Sequence, residues 1–239
     1  MFLFSAFAAA QVANASAPTT DSQTDTHSLT QIPNTSNLLY ISLSFGFSLA
    51  VSVWAFFRVS GGLFNPVVAL GLLLIGGIAP LRAANVFIAQ LISSIVSAAI
   101  VSGLFPGPLN VSTTLGGGAT ITQGLFIEMF LTFGLVFTIF MLAAEKHKST
   151  FLAPIGIGLS LFVAELTGVY FTGGALNPAR AFGPACITGN FPGYHWIYWL
   201  GPVMGSLLAV GFYKTIKYAE YETANPGQDL DEQEREMFV

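Results

Sequence analysis

One eight-residue pattern occurs twice in this chain, and the pair of copies restricts its architecture more than any other feature. Ser60-Gly-Gly-Leu-Phe-Asn-Pro-Val67 aligns with Thr172-Gly-Gly-Ala-Leu-Asn-Pro-Ala179 at an offset of 112 residues, and the match continues through Ala69/Ala181 and Gly71/Gly183. Each copy leads into a short apolar segment, 63–77 or 175–187, and its Asn opens a run of eleven residues, Asn65 to Ile75 or Asn177 to Ile187. Eleven residues make ~16 Å of helix, about half the hydrocarbon thickness of a bilayer. Asn is among the best N-caps, and Pro is favoured at the first helical position. The pattern therefore predicts two half-helices, each with the positive end of its dipole at the Asn-Pro pair.

Longer apolar stretches surround these segments, roughly at 38–57, 83–105, 122–143, 151–170 and 194–213. Each can cross ~30 Å of hydrocarbon as a helix, and lipid cannot satisfy an open backbone of any other kind. Composition agrees. Of the 239 residues only 8% are charged and 53% are hydrophobic, with a mean hydropathy of +0.69. A soluble domain carries about 25% charged residues. A chain with a third of that cannot cover a water-facing surface, which excludes a soluble enzyme or a nucleic-acid binder. Spans 83–105, 122–143 and 151–170 separate the two copies, an odd number, so the second copy enters from the opposite face. The expected fold class is an all-α membrane protein, an inverted repeat of transmembrane helices with two half-helices meeting at the bilayer centre. Such repeats place a pathway at the midplane.

The amino end admits two readings. Met1–Ala13 is apolar but supplies only ~20 Å of helix. It reads as the second half of a span, or as a signal peptide with Ala15-Ser16-Ala17 as the cleavage site, although the charged n-region is missing. Orientation follows from the basic residues. Threading the chain puts Arg58, Arg82, Lys146, Lys148, Lys214 and Lys217 on one side, while 14–37, 106–121 and 188–193 on the other hold no Lys or Arg. The basic side is expected to be cytoplasmic, in a plasma or internal membrane. The glycosylation-type triplets at Asn14, Asn34 and Asn110 all fall on the opposite side. Residues 1–218 form the expected channel domain, and 219–239 an acidic tail expected to be disordered and cytoplasmic. The net charge of −4 says little, because seven of the twelve acidic residues lie in the last twenty.

Cys186 is the sole cysteine, so no internal disulfide can form and a cysteine-built metal site is not expected. No His-Glu-x-x-His, Gly-x-Ser-x-Gly or partner for a reactive cysteine occurs. No enzyme activity, catalytic residue, metal or cofactor is therefore expected. His147 reads as a solvated loop residue, His195 beside Trp196 as part of an interfacial aromatic belt, and His27 carries no signal.

With both Asn-Pro copies in view, the chain resembles the aquaporins, the major intrinsic protein family. Thr172-Gly-Gly-Ala-Leu-Asn-Pro-Ala-Arg-Ala-Phe-Gly-Pro184 carries the resemblance, and Phe-Phe-Arg-Val-Ser-Gly-Gly at 56–62 is similar to fungal members. The resemblance implies six spans, one pore per subunit and a homotetramer in a lipid bilayer, with water as the permeant. It implies a central constriction at Asn65, Pro66, Val67, Asn177, Pro178 and Ala179, where the family's usual Ala is Val67. It implies a selectivity filter at Phe45, Glu165, Gly174 and Arg180. It also implies that Glu128 supports the half-helix loops; laid on the first span, its twin falls upstream of Met1.

Glu165 departs furthest from the pattern, since water-selective members usually carry His and glycerol-conducting members a small residue. A carboxylate near Arg180 is expected to pair with it and to cancel part of the cation barrier. Ala181, where glycerol-conducting relatives carry Asp, and Tyr198-Trp199 favour water, while Gly174 and Glu165 leave hydrogen peroxide or glycerol open. Three functions remain: a passive water channel that excludes protons and ions, a channel for other small neutral solutes, and a non-conducting paralogue or short isoform.

Overall fold

The computed structural model describes residues 1–16, 34–145 and 148–224. The helices are α1 (Phe2–Ser16), α2 (Thr35–Ser60), α3 (Pro66–Leu74), α4 (Pro80–Leu104), α5 (Ile121–Ile139), α6 (Ala153–Thr172), α7 (Pro178–Thr188) and α8 (Ile197–Tyr218). A π-turn, Phe140–Ala144, continues α5, and 3-10 turns occupy Lys148–Leu152 and Tyr221–Ala224. No strand occurs among the described residues. The five long apolar stretches became α2, α4, α5, α6 and α8. Four of them, Thr35–Ser60, Pro80–Leu104, Ile121–Ala144 and Thr150–Thr172, are long and apolar enough to cross a membrane. Helix α8 has the length, 22 residues, but Tyr198, Trp199, Pro202, Lys214 and Lys217 dilute its hydropathy. Helix α3 has nine residues against the eleven expected from Asn65 to Ile75, because those two residues are its N-cap and C-cap; the chain then turns at Gly76, a left-handed glycine with φ 83°.

The burial pattern explains why lipid is the solvent. Along α4 the inward stripe is small or polar (Ala83, Gln90, Ser94, Ala98), whereas Ile88, Ile92, Val96 and Ile100 point outward and are exposed. The i, i+4 spacing places each set on its own face. In water that outer face would be an aggregation surface; against acyl chains it costs nothing. Small residues let the helices approach closely. A Cβ on Gly46 of α2 would lie 2.9 Å from the carbonyl oxygen of Gly158 on α6, and one on Gly158 would lie 2.6 Å from that of Gly46.

Gly46 and Gly158 are themselves 112 residues apart, so the repeat read from the sequence is the symmetry of the fold. The half-helices obey it too. Ser206 on α8 donates to the carbonyl of Val67 at the start of α3 (2.7 Å), and Ser94 on α4 donates to that of Ala179 at the start of α7. Each half-helix is thus held by the last helix of the opposite half, and the core sits where the halves interlock.

Met1–Ala13 falls in α1, a short apolar helix of 15 residues. Phe7 and Ala6 are fully buried, α1 packs on α2 and α4, and Gln11 bonds the Pro108 carbonyl and the Asn110 N–H. His27, Lys146, His147 and residues 225–239 of the expected tail lie outside the described residues.

Candidate functional site

Both Asn-Pro pairs begin helices in the expected way. Asn65 is extended, its side-chain oxygen accepts from the Val67 N–H (3.1 Å), and Pro66 is the first helical residue. Asn177 accepts from the N–H groups of Ala179 and Arg180 (3.0 and 3.3 Å) ahead of Pro178. The amide nitrogens then cross the midplane. Asn65 Nδ2 donates to the Leu176 carbonyl (2.8 Å), and Asn177 Nδ2 donates to that of Phe64 (2.9 Å). An amide nitrogen carries two hydrogens, so each Asn keeps one donor free of these contacts.

A narrow cavity of about 50 Å³ runs past these amides. A water needs ~10–15 Å³ of such volume, so the cavity has room for a few molecules. Its wall is built in pairs at the 112-residue offset: Phe45/Ile157, Leu49/Leu161, Val53/Glu165, Phe64/Leu176, Asn65/Asn177 and Val68/Arg180. Four of the six pairs match apolar with apolar or Asn with Asn. The other two, Val53/Glu165 and Val68/Arg180, set charge against valine.

Of the expected central residues, Asn65 and Asn177 line the cavity, whereas Pro66, Val67, Pro178 and Ala179 do not. The last four are buried behind the wall, where the carbonyls of Val67 and Ala179 receive the serine bonds described above. Of the expected filter residues, Phe45, Glu165 and Arg180 line the cavity. Gly174 stands behind Glu165 and contributes its carbonyl.

The expected Glu165–Arg180 pairing does not form. The Arg180 fork is already taken, donating through Nε to Gly174 (3.2 Å), through Nη1 to Val111 (2.6 Å) and through Nη2 to Gly173 (3.3 Å), all carbonyl oxygens. Its guanidinium carbon lies 4.9 Å from the centroid of the Phe45 ring and 5.6 Å from that of Phe7, within cation–π range. Glu165 is 1% exposed, and neither carboxyl oxygen has a hydrogen-bond partner.

Glu128 is fully buried on α5 and accepts from the N–H groups of Ala175 (3.0 Å) and Leu176 (2.7 Å). Leu176 needs this grip because its φ is +49°, a left-handed backbone that a branched side chain rarely adopts. Sequence reasoning missed Phe2 and Phe7, which join the cavity and the Arg180 site, and Val111, which acts through a backbone carbonyl that no side-chain pattern reports. The 112-residue offset could have found Val53 and Val68.

Two polar groups lie outside the lumen. At the basic end, Glu145 accepts from Tyr213 and from Lys217 (3.1 Å), and Lys217 also pairs with Glu222 (2.6 Å). Burial raises the Glu145 pKa, but the bonds from Tyr213 and Lys217 outweigh it and hold the carboxyl below its usual range. At the other end, the His195 ring sits 5.0 Å from Phe191 and 5.8 Å from Tyr198, and burial lowers its pKa.

Comparison with known proteins fits this geometry. The profile of the Major intrinsic protein family matches residues 1–213. Aquaporin-7 of Botryotinia fuckeliana is 62% identical over 229 residues, which cover 96% of this chain and 50% of that protein. Probable aquaporin-5 of Gibberella zeae is 59% identical over 232 residues, covering 97% of this chain and 42% of that protein. The chain thus spans about half the length of these curated relatives. Among solved structures, the aquaglyceroporin from Plasmodium falciparum superposes with a TM-score of 0.71 at 21% identity, over 90% of this chain and 93% of that one, a likeness of fold. The chain is an integral membrane protein of the major intrinsic protein family, similar to fungal aquaporins, and its family members are transmembrane channels rather than enzymes.

Proposed function

We propose that this chain is a passive pore for water that excludes protons and ions. The observation that carries the reading is the pair of cross-latched asparagines, each capping a half-helix and each with a spare N–H, in a cavity with room for only a few small molecules. A water at the centre accepts from Asn65 and Asn177, so its oxygen is engaged and its hydrogens point away along the file. That orientation interrupts a proton relay. Two positive dipole ends and the Arg180 guanidinium oppose cations at the same level or nearby. Mostly apolar walls offer a moving water few bonds to break.

Water is favoured over glycerol by Ala181, by Tyr198-Trp199, and by Phe45 closing over Arg180. The basic end, with Arg58, Arg82 and Lys214, faces the cytoplasm by the charge rule. The working unit is a homotetramer with one lumen per chain, the assembly implied by the family.

The test is stopped-flow light scattering of proteoliposomes holding the chain and shrunk with an impermeant osmolyte. Shrinkage well above that of empty vesicles, lost in Arg180→Trp, supports the pore. Shrinkage no faster than in empty vesicles, with the protein folded and inserted, refutes it.

A further inference from the structure

The short helix α1 reaches the lumen by two routes. Directly, Phe2 lines the cavity, and the Phe7 ring centroid lies 5.6 Å from the Arg180 guanidinium carbon. Indirectly, Gln11, one turn beyond Phe7 on the same face, holds the connection between α4 and α5. Gln11 is 4% exposed, and both ends of its amide are spent on that connection. Its Nε2 donates to the Pro108 carbonyl (3.0 Å), and its Oε1 accepts from the Asn110 N–H (2.7 Å). Asn14, a turn further along α1, donates to the Asn110 carbonyl (2.7 Å) and accepts from Asn37 Nδ2 on α2 (3.3 Å). Both backbone groups of Asn110 are therefore held by α1. The next residue is Val111, whose carbonyl accepts from Arg180 Nη1 at 2.6 Å.

No regular structure supports this segment in place of Gln11 and Asn14. Residues 106–114 lie outside every helix, and among the described residues they make no backbone–backbone hydrogen bond. The other two carbonyls on the Arg180 fork, those of Gly173 and Gly174, belong to the loop that leads into Arg180 and move with it. Val111 is thus what ties the guanidinium to another part of the molecule. A competing partner stands close by. A Cβ on Gly174 would sit 1.8 Å from Glu165 Oε2, and the Gly174 carbonyl accepts from Arg180 Nε at 3.2 Å, so carboxyl and guanidinium abut the same residue. Both line the cavity, and neither Glu165 oxygen has a hydrogen-bond partner. A guanidinium and a carboxyl at such range favour a bidentate pair wherever nothing restrains them.

On the pore reading above, we infer that Gln11 is a positioning residue: by fixing residues 108–110 it sets the Val111 carbonyl where it draws Arg180 to the wall, away from a pairing with Glu165 that would close the lumen. Without this clamp the segment withdraws, Nη1 is released, and the fork turns onto the carboxyl. The cavity is about 50 Å³, room for a few waters, so a guanidinium displaced into it obstructs passage.

The experiment uses the full chain in proteoliposomes and reads water permeability per inserted chain by osmotic shrinkage. Gln11→Met keeps the length of the side chain and removes both hydrogen bonds. Its effect is measured in two backgrounds, parental and Glu165→Leu. In the parental background permeability is expected to fall about five- to tenfold, the scale of one net hydrogen bond. In Glu165→Leu the same change is expected to cost less than about twofold, because a released Arg180 has no carboxyl to close on; a residue that only supports the fold costs the same in both. If Gln11→Met does not insert, Asn14→Leu, which removes the bond to the Asn110 carbonyl and leaves those of Gln11, is read by the same comparison. Permeability unchanged or raised in the parental background, or an equal loss in both, overturns the positioning role. A Glu165→Leu chain without flux overturns it too, since closure is assigned to the carboxyl. No water flux in the parent refutes the pore reading instead, a result distinguishable from these.

Discussion

Glu128 offers the sharpest test of how the second half-helix is held. Its side chain is fully buried and is the acceptor for two adjacent backbone N–H groups, Ala175 at 3.0 Å and Leu176 at 2.7 Å. Among the described residues no other group accepts from them. Leu176 also carries a φ of +49°, a conformation that costs an L-residue roughly 1–2 kcal/mol and persists only when its neighbours impose it. Glu128→Ala orphans both N–H groups, at about 1–3 kcal/mol each, so the loop loses roughly 2–6 kcal/mol and gains nothing against the strain. Glu128→Gln keeps one acceptor and turns an NH₂ toward the other N–H, for about half that loss. Glu128→Asp keeps the carboxyl but retracts it by one methylene and cannot reach both donors. Thermal inactivation in detergent and water flux per inserted chain read the outcome. The order parent, Gln, Ala is expected in falling stability, with flux down at least tenfold in Ala. An Ala variant with parental midpoint and flux would refute the claim that this carboxyl holds the loop.

Further outcomes follow from the same geometry. Gly183→Ala places a methyl 2.5 Å from the Ser94 carbonyl oxygen and 2.1 Å from its hydroxyl. Because the first is backbone, the clash separates α4 from α7; a loss of about 1–3 kcal/mol or more is expected as a lowered thermal midpoint. Arg180→Lys loses the fork that spans Gly173, Gly174 and Val111, and an ammonium cannot replace it; proton leak into dye-loaded vesicles is expected to rise. At the basic end, the Glu145 carboxyl titrates below its usual range when folded. Its contribution is present above the ordinary carboxylate pKa and is lost as pH falls through the lower folded value. Amide exchange at residues 140–145, corrected for intrinsic rate, should stay protected from neutral pH into the mildly acid range and loosen below it, a dependence that Glu145→Gln removes.

Most of the architecture was legible because each element follows from a local rule. Apolar length announced α2, α4, α5 and α6, and Asn-Pro announced both half-helices with their caps. The offset between the copies carried the symmetry that Gly46/Gly158 and Ser94/Ser206 later displayed. What the sequence could not report was direction. Glu165 and Arg180 were both placed in the lumen, yet whether they touch depends on which groups reach the guanidinium first. Those groups are the carbonyls of Gly173, Gly174 and Val111, and a carbonyl belongs to every residue alike. Phe2 and Phe7 escaped notice for the opposite reason: an apolar residue in an apolar helix carries no mark of the face it will occupy. Helix α3 ends at Leu74, one residue short of the apolar run, because Ile75 is its cap and the left-handed Gly76 turns the chain.

The crossed asparagine bonds have a consequence for how such a chain can change over generations. Asn65 ends on the backbone of the second half and Asn177 on that of the first, and the serine bonds repeat the exchange. Each half is therefore the mould of the other. A substitution that shifts one half-helix is felt by both, and selection on either copy acts on the pair. Positions 53/165 and 68/180 face the lumen, and they are the two wall pairs that differ in charge. A scaffold locked into symmetry has thereby acquired a head and a tail, and a solute entering from either side meets the same obstacles in opposite order.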